Sequence, residues 1–545
     1  VRNPDRFCPD LQEYRVKPVI DGSMQTFPLT LDQIVEHAAK WHPAAEVVTA
    51  RQGQDNARVT YAELRERGLK ISSVLKGLGV EVGSRVATLA WNTQAHVETW
   101  YAVMGMGAVC HTLNPRLTAE QLAWMLDQSE ARIVFVSADL MPLAMQVADR
   151  ALGVEQVFVI DGASDLAHPR ARVEAIEPLI ANAVMDVRWG QFDENAPSGL
   201  CFTSGSTGMP KGVTYTHRSS FLHTWKLLQA DVLALRSVDV VMPVVPLFHA
   251  NAWGLPFALP ATGAKMVLPG RQMDGASLAR LIEAEGVTVA VGVPTVWLGM
   301  CDHLEATGAR LPSLERIIVG GAPMPPALME RIERQLGVMV QTSWGMTEMS
   351  PTGAFGVLSD KERFAALSGR PALGVDLMVA DQNGAPLAEQ RDQEGRLFVR
   401  GAAVIERYFG QDEPVVDADG WFDTGDLARI SPRGDLMITG RSKDLIKSGG
   451  EWINPTDIEA IVSALPEVAL SAVIGRVDPK WSERPVLIVE LREGRDISDE
   501  AILAALKGRI ASWWTPDAVI RLDAMPLAST GKIDKLKLRA LYSQG

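Results

Sequence analysis

Hydrophobic positions in the first 300 residues alternate between helical spacing and short continuous runs. Apolar residues recur with helical spacing at 31–41, 60–78 and 98–107. Thr60 and Glu63 are spaced as a capping box at the start of the second of these helices. Short apolar runs typical of buried strands lie at 85–90, 131–136, 156–160, 238–245 and 287–292. This alternation predicts an α/β fold with mainly parallel sheets.

The pattern changes near residue 377, where short strands and turns replace the long helices. Strands are predicted at 395–401, 419–422 and 435–438, so we expect a small β-rich, barrel-like unit over about 377–442. The last hundred residues have a pattern of their own, with helices at 456–465 and 499–512 and strands at 469–475 and 486–491. That pattern predicts a separate small α+β domain.

A polar, glycine-rich stretch follows the apolar residues 198–202. Residues 203–212 read Thr-Ser-Gly-Ser-Thr-Gly-Met-Pro-Lys-Gly. Such a loop leaves main-chain N–H groups free to surround a polyanion such as a triphosphate. A flexible connector is the alternative on composition, but a connector needs neither Lys211 nor Pro210. The loop of kinases and GTPases is excluded, because Lys211 is followed by Gly212 and not by Ser or Thr.

Composition and charge favour small-molecule partners. The chain has 545 residues, which is enough for several compact units, and its formal net charge is −13. That charge argues against a general nucleic-acid or anionic-membrane surface. No run of about 18 apolar residues and no apolar signal core are present, so neither a membrane span nor export is expected.

Cysteine usage predicts a reducing compartment. The four cysteines are far apart and form no CxxC pair, namely Cys8, Cys110, Cys201 and Cys301. Neither a zinc site nor a disulfide framework is indicated, and we expect reduced thiols in the cytoplasm.

Six further motifs follow the glycine-rich loop in order. They are Pro246-Leu247-Phe248-His249, Gly320-Gly321-Ala322-Pro323, Ser343-Trp344-Gly345-Met346-Thr347-Glu348, Trp421-Phe422-Asp423-Thr424-Gly425-Asp426, Gly440-Arg441-Ser442-Lys443-Asp444 and Ser529-Thr530-Gly531-Lys532. With the loop, they resemble the acyl-adenylate-forming superfamily of acyl-CoA synthetases, peptide adenylation domains and beetle luciferases. The runs at 344–350 and 448–452 are most similar to medium-chain fatty-acyl-CoA ligases and 3-methylmercaptopropionyl-CoA ligases.

The resemblance implies a division of the chain and a set of ligands. An N-terminal adenylation domain would span 1–442 and include the β-rich unit, and a mobile C-terminal domain would span 443–545. Lys443 matches the hinge between them. The implied ligands are ATP, Mg²⁺, coenzyme A and a small carboxylic acid, and a homodimer is one implied assembly.

The resemblance also implies roles for residues around ATP. Attack of a carboxylate on the α-phosphorus brings like charges together, so cations and N–H donors are needed. Asp426 and Arg441 match ribose contacts, Thr347 matches an α-phosphate contact, and Glu348 with Thr203 matches the metal site. The remaining positions implied at the nucleotide are Thr203, Ser204, Gly205, Ser206, Thr207, Gly208 and Lys211 at the phosphates, and Gly320, Gly321, Ala322, Pro323, Trp344, Gly345 and Met346 near adenine.

Further matches concern the acid and the thiol. Lys532 matches the lysine that contacts the substrate carboxylate and the α-phosphate, and His249 matches a gate between carboxylate and thiol. On the residues alone, His249 would more commonly be a core histidine, and Asp426 would be an ordinary turn residue. The hairpin implied at the coenzyme A tunnel comprises Ser448, Gly449, Gly450, Glu451 and Trp452. The walls implied for the acyl pocket are His249, Trp253, Pro294, Val319 and Gly345.

These observations predict an ATP-dependent acid–CoA ligase that forms acyl-AMP and then acyl-CoA. We expect 3-methylmercaptopropionate as its acid, with a general medium-chain fatty-acyl-CoA synthetase as the alternative. A stand-alone adenylation domain that loads a carrier protein would share the nucleotide motifs. A binding protein that retained the fold would be expected to lose Lys532, Glu348 or Asp426, and all three are present.

Overall fold

The computed structural model describes residues 24–203, 210–360, 363–449, 451–528 and 531–543. Its α-helices are α1 (Asp32–Trp41), α2 (Tyr61–Gly77), α3 (Gln94–Gly105), α4 (Ala119–Ser129), α5 (Met141–Arg150), α6 (Ile176–Asn182), α7 (His217–Leu227), α8 (Leu255–Thr262), α9 (Gly275–Glu285), α10 (Pro294–Thr307), α11 (Pro326–Leu336), α12 (Pro455–Val462), α13 (Asp499–Leu506) and α14 (Lys535–Tyr542). Short 3₁₀ turns include Ala250–Gly254, Thr347–Met349 and Ser442–Asp444.

The β-strands divide into an N-terminal set and a later set. The first set is β1 (Glu46–Thr49), β2 (Ala57–Thr60), β3 (Arg85–Leu89), β4 (Val109–Thr112), β5 (Ile133–Ser137), β6 (Gln156–Ile160), β7 (Arg172–Ala175), β8 (Pro197–Phe202), β9 (Gly212–Thr216), β10 (Val240–Pro243), β11 (Lys265–Leu268), β12 (Val289–Gly292) and β13 (Arg316–Val319). The second set is β14 (Met339–Gly345), β15 (Thr352–Phe355), β16 (Leu367–Pro371), β17 (Val375–Ala380), β18 (Glu394–Gly401), β19 (Phe422–Ile430), β20 (Leu436–Arg441), β21 (Ile446–Ser448), β22 (Glu451–Ile453), β23 (Val468–Asp478), β24 (Ser482–Leu491) and β25 (Ala518–Arg521).

In the described part of the chain these strands form three sheets. A seven-stranded sheet has the order β7-β6-β5-β3-β4-β8-β9, and it is parallel apart from the β8–β9 pair. A 13-stranded sheet has the order β17-β18-β19-β20-β16-β15-β14-β13-β12-β10-β11-β1-β2. Its centre is parallel and its β14 to β20 part is antiparallel. The predicted α/β class with a β-rich extension is therefore confirmed.

The largest hydrophobic cluster joins the two N-terminal sheets. It combines buried residues of both sheets, such as Phe135 and Ile318, with residues of α1, α2, α3 and α8. Helices α9, α10 and α11 cover the other face of the large sheet, and α4 and α5 cover the other face of the seven-stranded sheet. Stacking of helices on both faces of parallel strands explains why these strands read as continuous apolar runs.

The third sheet belongs to the C-terminal residues. It contains β22-β21-β24-β23, with β25 paired to β24. Helices α12 and α13 pack on one apolar cluster of this sheet, and α14 packs on another through Leu538. This arrangement confirms the small α+β C-terminal fold.

Element boundaries differ from the predictions where caps or turns intervene. The capping box of Thr60 and Glu63 is present at α2 as expected. Helix α3 begins earlier than predicted because the Thr93 hydroxyl accepts the N–H of His96. Helix α13 ends at Leu506, short of the predicted 512, and Gly508 has a left-handed backbone. The run at 419–422 is mostly a turn before β19.

No helix among the described residues is long and apolar enough to cross a membrane.

Candidate active site

The site lies where four parallel strands of the large sheet end. β10, β12, β13 and β14 are neighbours in parallel register. Their carboxyl ends therefore meet at one edge, which is where ligands bind to open α/β sheets. The segments that follow these ends carry His249, Pro294, Gly320 and Thr347. Motifs far apart in the sequence are thus brought to one place by the strand order.

The glycine-rich loop connects two antiparallel strands, β8 and β9. Its base is closed by a hydrogen bond from the N–H of Thr203 to the carbonyl of Lys211, at 2.8 Å. A Cβ at Gly212 would lie 2.8 Å from Cβ of Phe409, which explains why glycine follows the lysine. The intervening predicted phosphate contacts, Ser204, Gly205, Ser206, Thr207 and Gly208, lie outside the described residues.

Asp426 is held by two donors from different elements. Its Oδ2 accepts the indole N–H of Trp344 at 2.9 Å, and its Oδ1 pairs with Nε of Arg441 at 2.8 Å. The carboxylate is 3% exposed, and β19 and β20 place Asp426 opposite Arg441 in register. A carboxylate with these donors keeps lone pairs free, so it can accept hydroxyl groups such as those of a ribose.

Glu348 and Thr347 lie in the short turn after β14. The hydroxyl of Tyr408 donates to Oε1 of Glu348 at 2.9 Å, and the hydroxyl of Tyr215 donates to the carbonyl of Thr347 at 3.0 Å. Nζ of Lys211 lies 4.7 Å from the centre of the Tyr408 ring. These contacts link the base of the glycine-rich loop to the carboxylate. A single carboxylate beside phosphate groups suits Mg²⁺, which keeps several water ligands.

Lys532 reaches the strand edge from the C-terminal region. Its Cε lies 3.7 Å from the position of a Cβ on Gly321, and the neighbouring carbonyl of Gly531 accepts the hydroxyl of Thr295 at 3.2 Å. Burial, followed by the charge of Arg441, lowers the pKa of Lys532 to about 8. The ammonium therefore predominates at neutral pH, although the site holds other cations.

His249 is a neutral imidazole in this site. Burial, with smaller effects from Lys532 and Arg116, lowers its pKa to about 4. A neutral, flat ring can pack beside an acyl group without adding charge. Its use as a gate between acid and thiol stays a prediction.

Trp253 sits in an unusual turn directly after His249. Residues 250–253 all have positive φ, between 44° and 57°, and Gly254 continues the turn at 79°. Left-handed backbone costs roughly 1–2 kcal/mol per non-glycine residue, so tertiary contacts must hold this turn. The indole of Trp253 packs on Gly320, where a Cβ would lie 3.0 Å from it. Glycine is needed there for this close approach.

Of the other three predicted acyl-pocket residues, two are buried and one faces a neighbouring strand. Pro294 is buried at the start of α10, and Val319 belongs to the apolar cluster under α9, α10 and α11. Gly345 faces β15, because a Cβ on it would collide with the carbonyl of Pro351 and lie 2.8 Å from Cα of Thr352. The structure thus gives a packing reason for glycine at position 345, beside the predicted role in substrate length.

The predicted adenine segment follows β13. Gly321 has φ of +80°, so its left-handed backbone favours glycine, and Ala322 and Pro323 continue the turn before α11. Met346 donates its N–H to the carbonyl of Pro351 at 2.8 Å. These residues border the edge at which Lys532 and Trp344 lie.

The hinge residue Lys443 lies close to the nucleotide-site charges. It is exposed in the turn Ser442–Asp444, and partial desolvation, followed by the charge of Arg441, lowers its pKa. Its neighbour Asp444 is tied to the C-terminal helix α14 by Arg539 at 2.7 Å.

The hairpin predicted for the coenzyme A tunnel is held within the C-terminal region. The N–H of Gly449 donates to Trp481 at 2.8 Å, and Ser448 pairs with Glu451 across β21 and β22. Trp452 is 46% exposed. Gly450 lies outside the described residues. In this arrangement the C-terminal region presents Lys532 to the strand edge, whereas the described residues of the hairpin hydrogen-bond within their own sheet.

Sequence reasoning missed several residues at this edge. Tyr408 and Tyr215 hold the Thr347–Glu348 turn, and Thr295 holds the segment that carries Lys532. Tyr408 follows β18 in the β-rich stretch, and no local pattern marks it as a neighbour of the glycine-rich loop. Each of these contacts joins residues that are distant in sequence.

The fold and site define an adenylate-forming enzyme. A model of the family described as AMP-binding enzyme matches residues 35–409, and a model of its C-terminal domain matches residues 457–532. The chain belongs to this family.

Comparison with similar proteins places the chain among the acid–CoA ligases of this family. The chain is 41% identical to a 3-methylmercaptopropionyl-CoA ligase of Ruegeria lacuscaerulensis, over 95% of this chain and 98% of the relative. It is 39% identical to a medium-chain fatty-acid–CoA ligase of Ectopseudomonas oleovorans, over 96% and 97%. The fold is shared with the anthranilate CoA ligase AuaEII bound to anthranoyl-AMP, with a TM-score of 0.86 at 22% identity over 95% and 98%. The chain is an AMP-forming acyl-CoA ligase that uses ATP and coenzyme A.

Proposed function

We propose that the enzyme activates short to medium-chain carboxylic acids, and 3-methylmercaptopropionate before others. The observation that carries the chemistry is the presentation of Lys532 at the strand edge beside Gly321, near Asp426, Arg441 and Glu348. The choice of acid is supported by relatives named for that thioether acid and for medium-chain fatty acids, at about 40% identity over nearly the whole chain.

In the first half-reaction, a carboxylate oxygen of the acid attacks the α-phosphorus of ATP and pyrophosphate leaves. The ammonium of Lys532 would neutralise the carboxylate and the α-phosphate together, which would lower the cost of bringing like charges into contact. The pair of Trp344 and Arg441 orients Asp426 toward the ribose hydroxyls. The loop between Thr203 and Lys211 supplies N–H donors for the β- and γ-phosphates.

Mg²⁺ fits the donors present. Glu348, with Thr203 as a hydroxyl partner, would hold the ion, and the ion would offset phosphate charge. The hydroxyl of Tyr408 holds one oxygen of the Glu348 carboxylate in place. Within the described residues no group of three or more His, Cys, Asp or Glu side chains is placed to hold a metal ion.

In the second half-reaction, the thiol of coenzyme A attacks the acyl carbonyl carbon, and AMP leaves with the bonding electron pair. We propose that the C-terminal domain, residues 443–545, turns about Lys443 and replaces Lys532 at the site with the hairpin around Gly449. The separation of this domain from an N-terminal domain, residues 1–442, is supported by the separate C-terminal sheet. The family models also support it, because the first ends at residue 409 and the second begins at residue 457.

The cytoplasm is the proposed location of the enzyme. The buried free thiols of Cys110, Cys201 and Cys301 support this location.

The test is acid-dependent release of pyrophosphate, followed by product analysis with free coenzyme A. Straight-chain acids from acetate to octanoate and 3-methylmercaptopropionate should each be assayed for kcat/KM. Each buried methylene contributes about 0.8 kcal/mol, so acids whose chain has four to eight heavy atoms, carboxylate oxygens not counted, should exceed acetate by more than about tenfold. If acetate is the best substrate, the proposed acid class is wrong. Acyl transfer to a carrier protein but not to free coenzyme A would contradict the ligase assignment.

A further inference from the structure

Helix α7 carries two buried polar side chains to which the proposed reaction gives no role. His223 is 1% exposed and Lys226 is 4% exposed. Nε2 of His223 accepts the N–H of Thr352 at 3.1 Å and lies 2.7 Å from the Thr352 hydroxyl. Nζ of Lys226 donates to the carbonyl of the same residue. One helix thus binds both main-chain polar groups of Thr352.

The protonation of this cluster follows from its hydrogen bonds. A main-chain N–H can only donate, so Nε2 of His223 is the acceptor and the ring proton lies on Nδ1. Burial, followed by the charge of Lys226, holds the pKa of His223 well below its ordinary value. Burial lowers the pKa of Lys226 to about 7. Two side chains that are costly to bury therefore both hydrogen-bond to Thr352.

The main chain of Pro351 and Thr352 limits the room beside Gly345, and the carbonyl of Pro351 lies nearest. Gly345 and Thr352 are paired between β14 and β15, with a register irregularity between Trp344 and Gly345. Cα of Thr352 lies 2.8 Å from the position of a Cβ on Gly345. A shift of Thr352 toward or away from β14 would therefore change the space at Gly345.

His223 also contacts the segment on the other side of the acyl site. A Cβ on Gly254 would lie 2.8 Å from Cε1 and from Nδ1 of His223. Gly254 ends the left-handed turn that carries Trp253. The imidazole therefore lies between the turn of Trp253 and the strand that faces Gly345.

We infer that His223 and Lys226 are positioning residues that set the depth of the acyl pocket and thereby the length preference for the acid. The inference rests on the proposed function, which places Gly345 and Trp253 at that pocket. The two side chains act through Thr352 and Gly254. Trp344 and Arg441, which bind the carboxylate of Asp426, belong to β14 and β20. ATP binding should therefore not depend on α7 in the same way.

The experiment measures KM for the acid and for ATP in His223→Leu. Loss of the acceptor leaves the Thr352 N–H unpaired and lets Thr352 shift within β15, so KM for the acid should rise about tenfold while KM for ATP stays within about twofold. The preference among acids whose chain has four to eight heavy atoms should also flatten. In His223→Gln, Oε1 can replace Nε2 as the acceptor, so most of the acid affinity and the length preference should return.

Thr224→Ala is the matched control on the same helix. Thr224 is 1% exposed, and its hydroxyl bonds the carbonyl of Ser220 within α7. This variant should lower stability slightly and leave the ratio of the two KM values unchanged. Lys226→Gln provides a second test, with an expected change in length preference in the same direction as His223→Leu.

Two results would overturn the inference. One is an equal rise of both KM values in folded His223→Leu, and the other is an unchanged length profile in Lys226→Gln. If His223→Leu does not fold, the length preference of Lys226→Gln and the KM values of His223→Gln test the inference instead. Failure of the proposed function would look different, because the unaltered enzyme would then release no pyrophosphate with any acid of the panel.

Discussion

At the scale of single residues, Lys532 has the environment that the reaction requires. It lies beside Gly321, among Arg441, Lys443, Asp426 and Glu348. The nearby cations and burial favour its neutral form, whereas the bound anions of substrate and ATP would favour the ammonium. The same residue is therefore expected to bind its substrates tightly and to be displaced more easily once pyrophosphate has left.

Replacement of Lys532 should separate the half-reactions. In Lys532→Ala, acyl-AMP formation should fall by at least about a hundredfold, because the proposed bridge between the carboxylate and the α-phosphate is lost. Thioester formation from supplied acyl-AMP should remain close to normal. Pyrophosphate release and thioester formation are measured separately, and an equal loss in both assays would contradict the division of labour.

The lowered pKa of Lys532 predicts a falling limb in the pH profile of adenylation. Its ammonium is present below about pH 8 in the free enzyme and is lost as the pH rises through that value. Since kcat/KM reports the free enzyme, acyl-AMP formation should decline about tenfold per pH unit above the pKa. His249, with its pKa near 4, should add no limb between pH 5 and 8. A flat profile from pH 7 to 10 would show that Lys532 stays charged or is not required.

At the scale of elements, close approach of strands and turns explains the glycines of the site better than chain flexibility does. Gly320 admits the indole of Trp253, and Gly345 admits β15. The left-handed turn after His249 is held by such contacts, including His223 against Gly254. Packing between elements thus decides the shape of the acyl site.

Replacement of Gly345 tests this packing. A Cβ there meets the main chain of 351–352, which cannot rotate away, so Gly345→Ala should cost about 1–3 kcal/mol of stability and alter the length preference. The control is Gly299→Ala in α10, where a Cβ meets no atom within 4 Å. That variant should be neutral or slightly stabilising, since alanine favours the helix. Thermal unfolding measures the stability of both variants, and the acid panel measures their length preference. If Gly345→Ala and Gly299→Ala have the same stability and the same length preference, packing against β15 does not explain the glycine at position 345.

At the scale of the whole molecule, few hydrogen bonds join the C-terminal region to the rest within the described part of the chain. The hydroxyl of Thr295 donates to Gly531, and the side-chain amide of Asn454 donates to Thr439 at 2.6 Å. By contrast, Asp444 is tied within the C-terminal region to Arg539. So few hydrogen bonds beside a short turn at Lys443 suit the proposed departure of the C-terminal domain from the site between half-reactions.

A proline at the hinge should hold the C-terminal domain in the arrangement that places Lys532 at the strand edge. Proline fixes φ near −65°, which suits the 3₁₀ turn Ser442–Asp444. Lys443→Pro should therefore retain acyl-AMP formation and reduce thioester formation, with Lys443→Ala as the control for loss of the charge. The two half-reactions are assayed with separate substrates. Normal overall turnover in Lys443→Pro would place the hinge elsewhere.

The sequence by itself determined the class of fold, the order of its elements and the family. Helical spacing, buried-strand runs and caps such as Thr60 are local, and the motifs from Thr203 to Lys532 are short enough to be read without the fold. Only the tertiary structure decided that Tyr408 holds Glu348, that Thr295 holds the segment of Lys532, and that His223 and Lys226 hold Thr352. Those contacts depend on strand order and packing between distant segments, which periodicity and local preference do not encode.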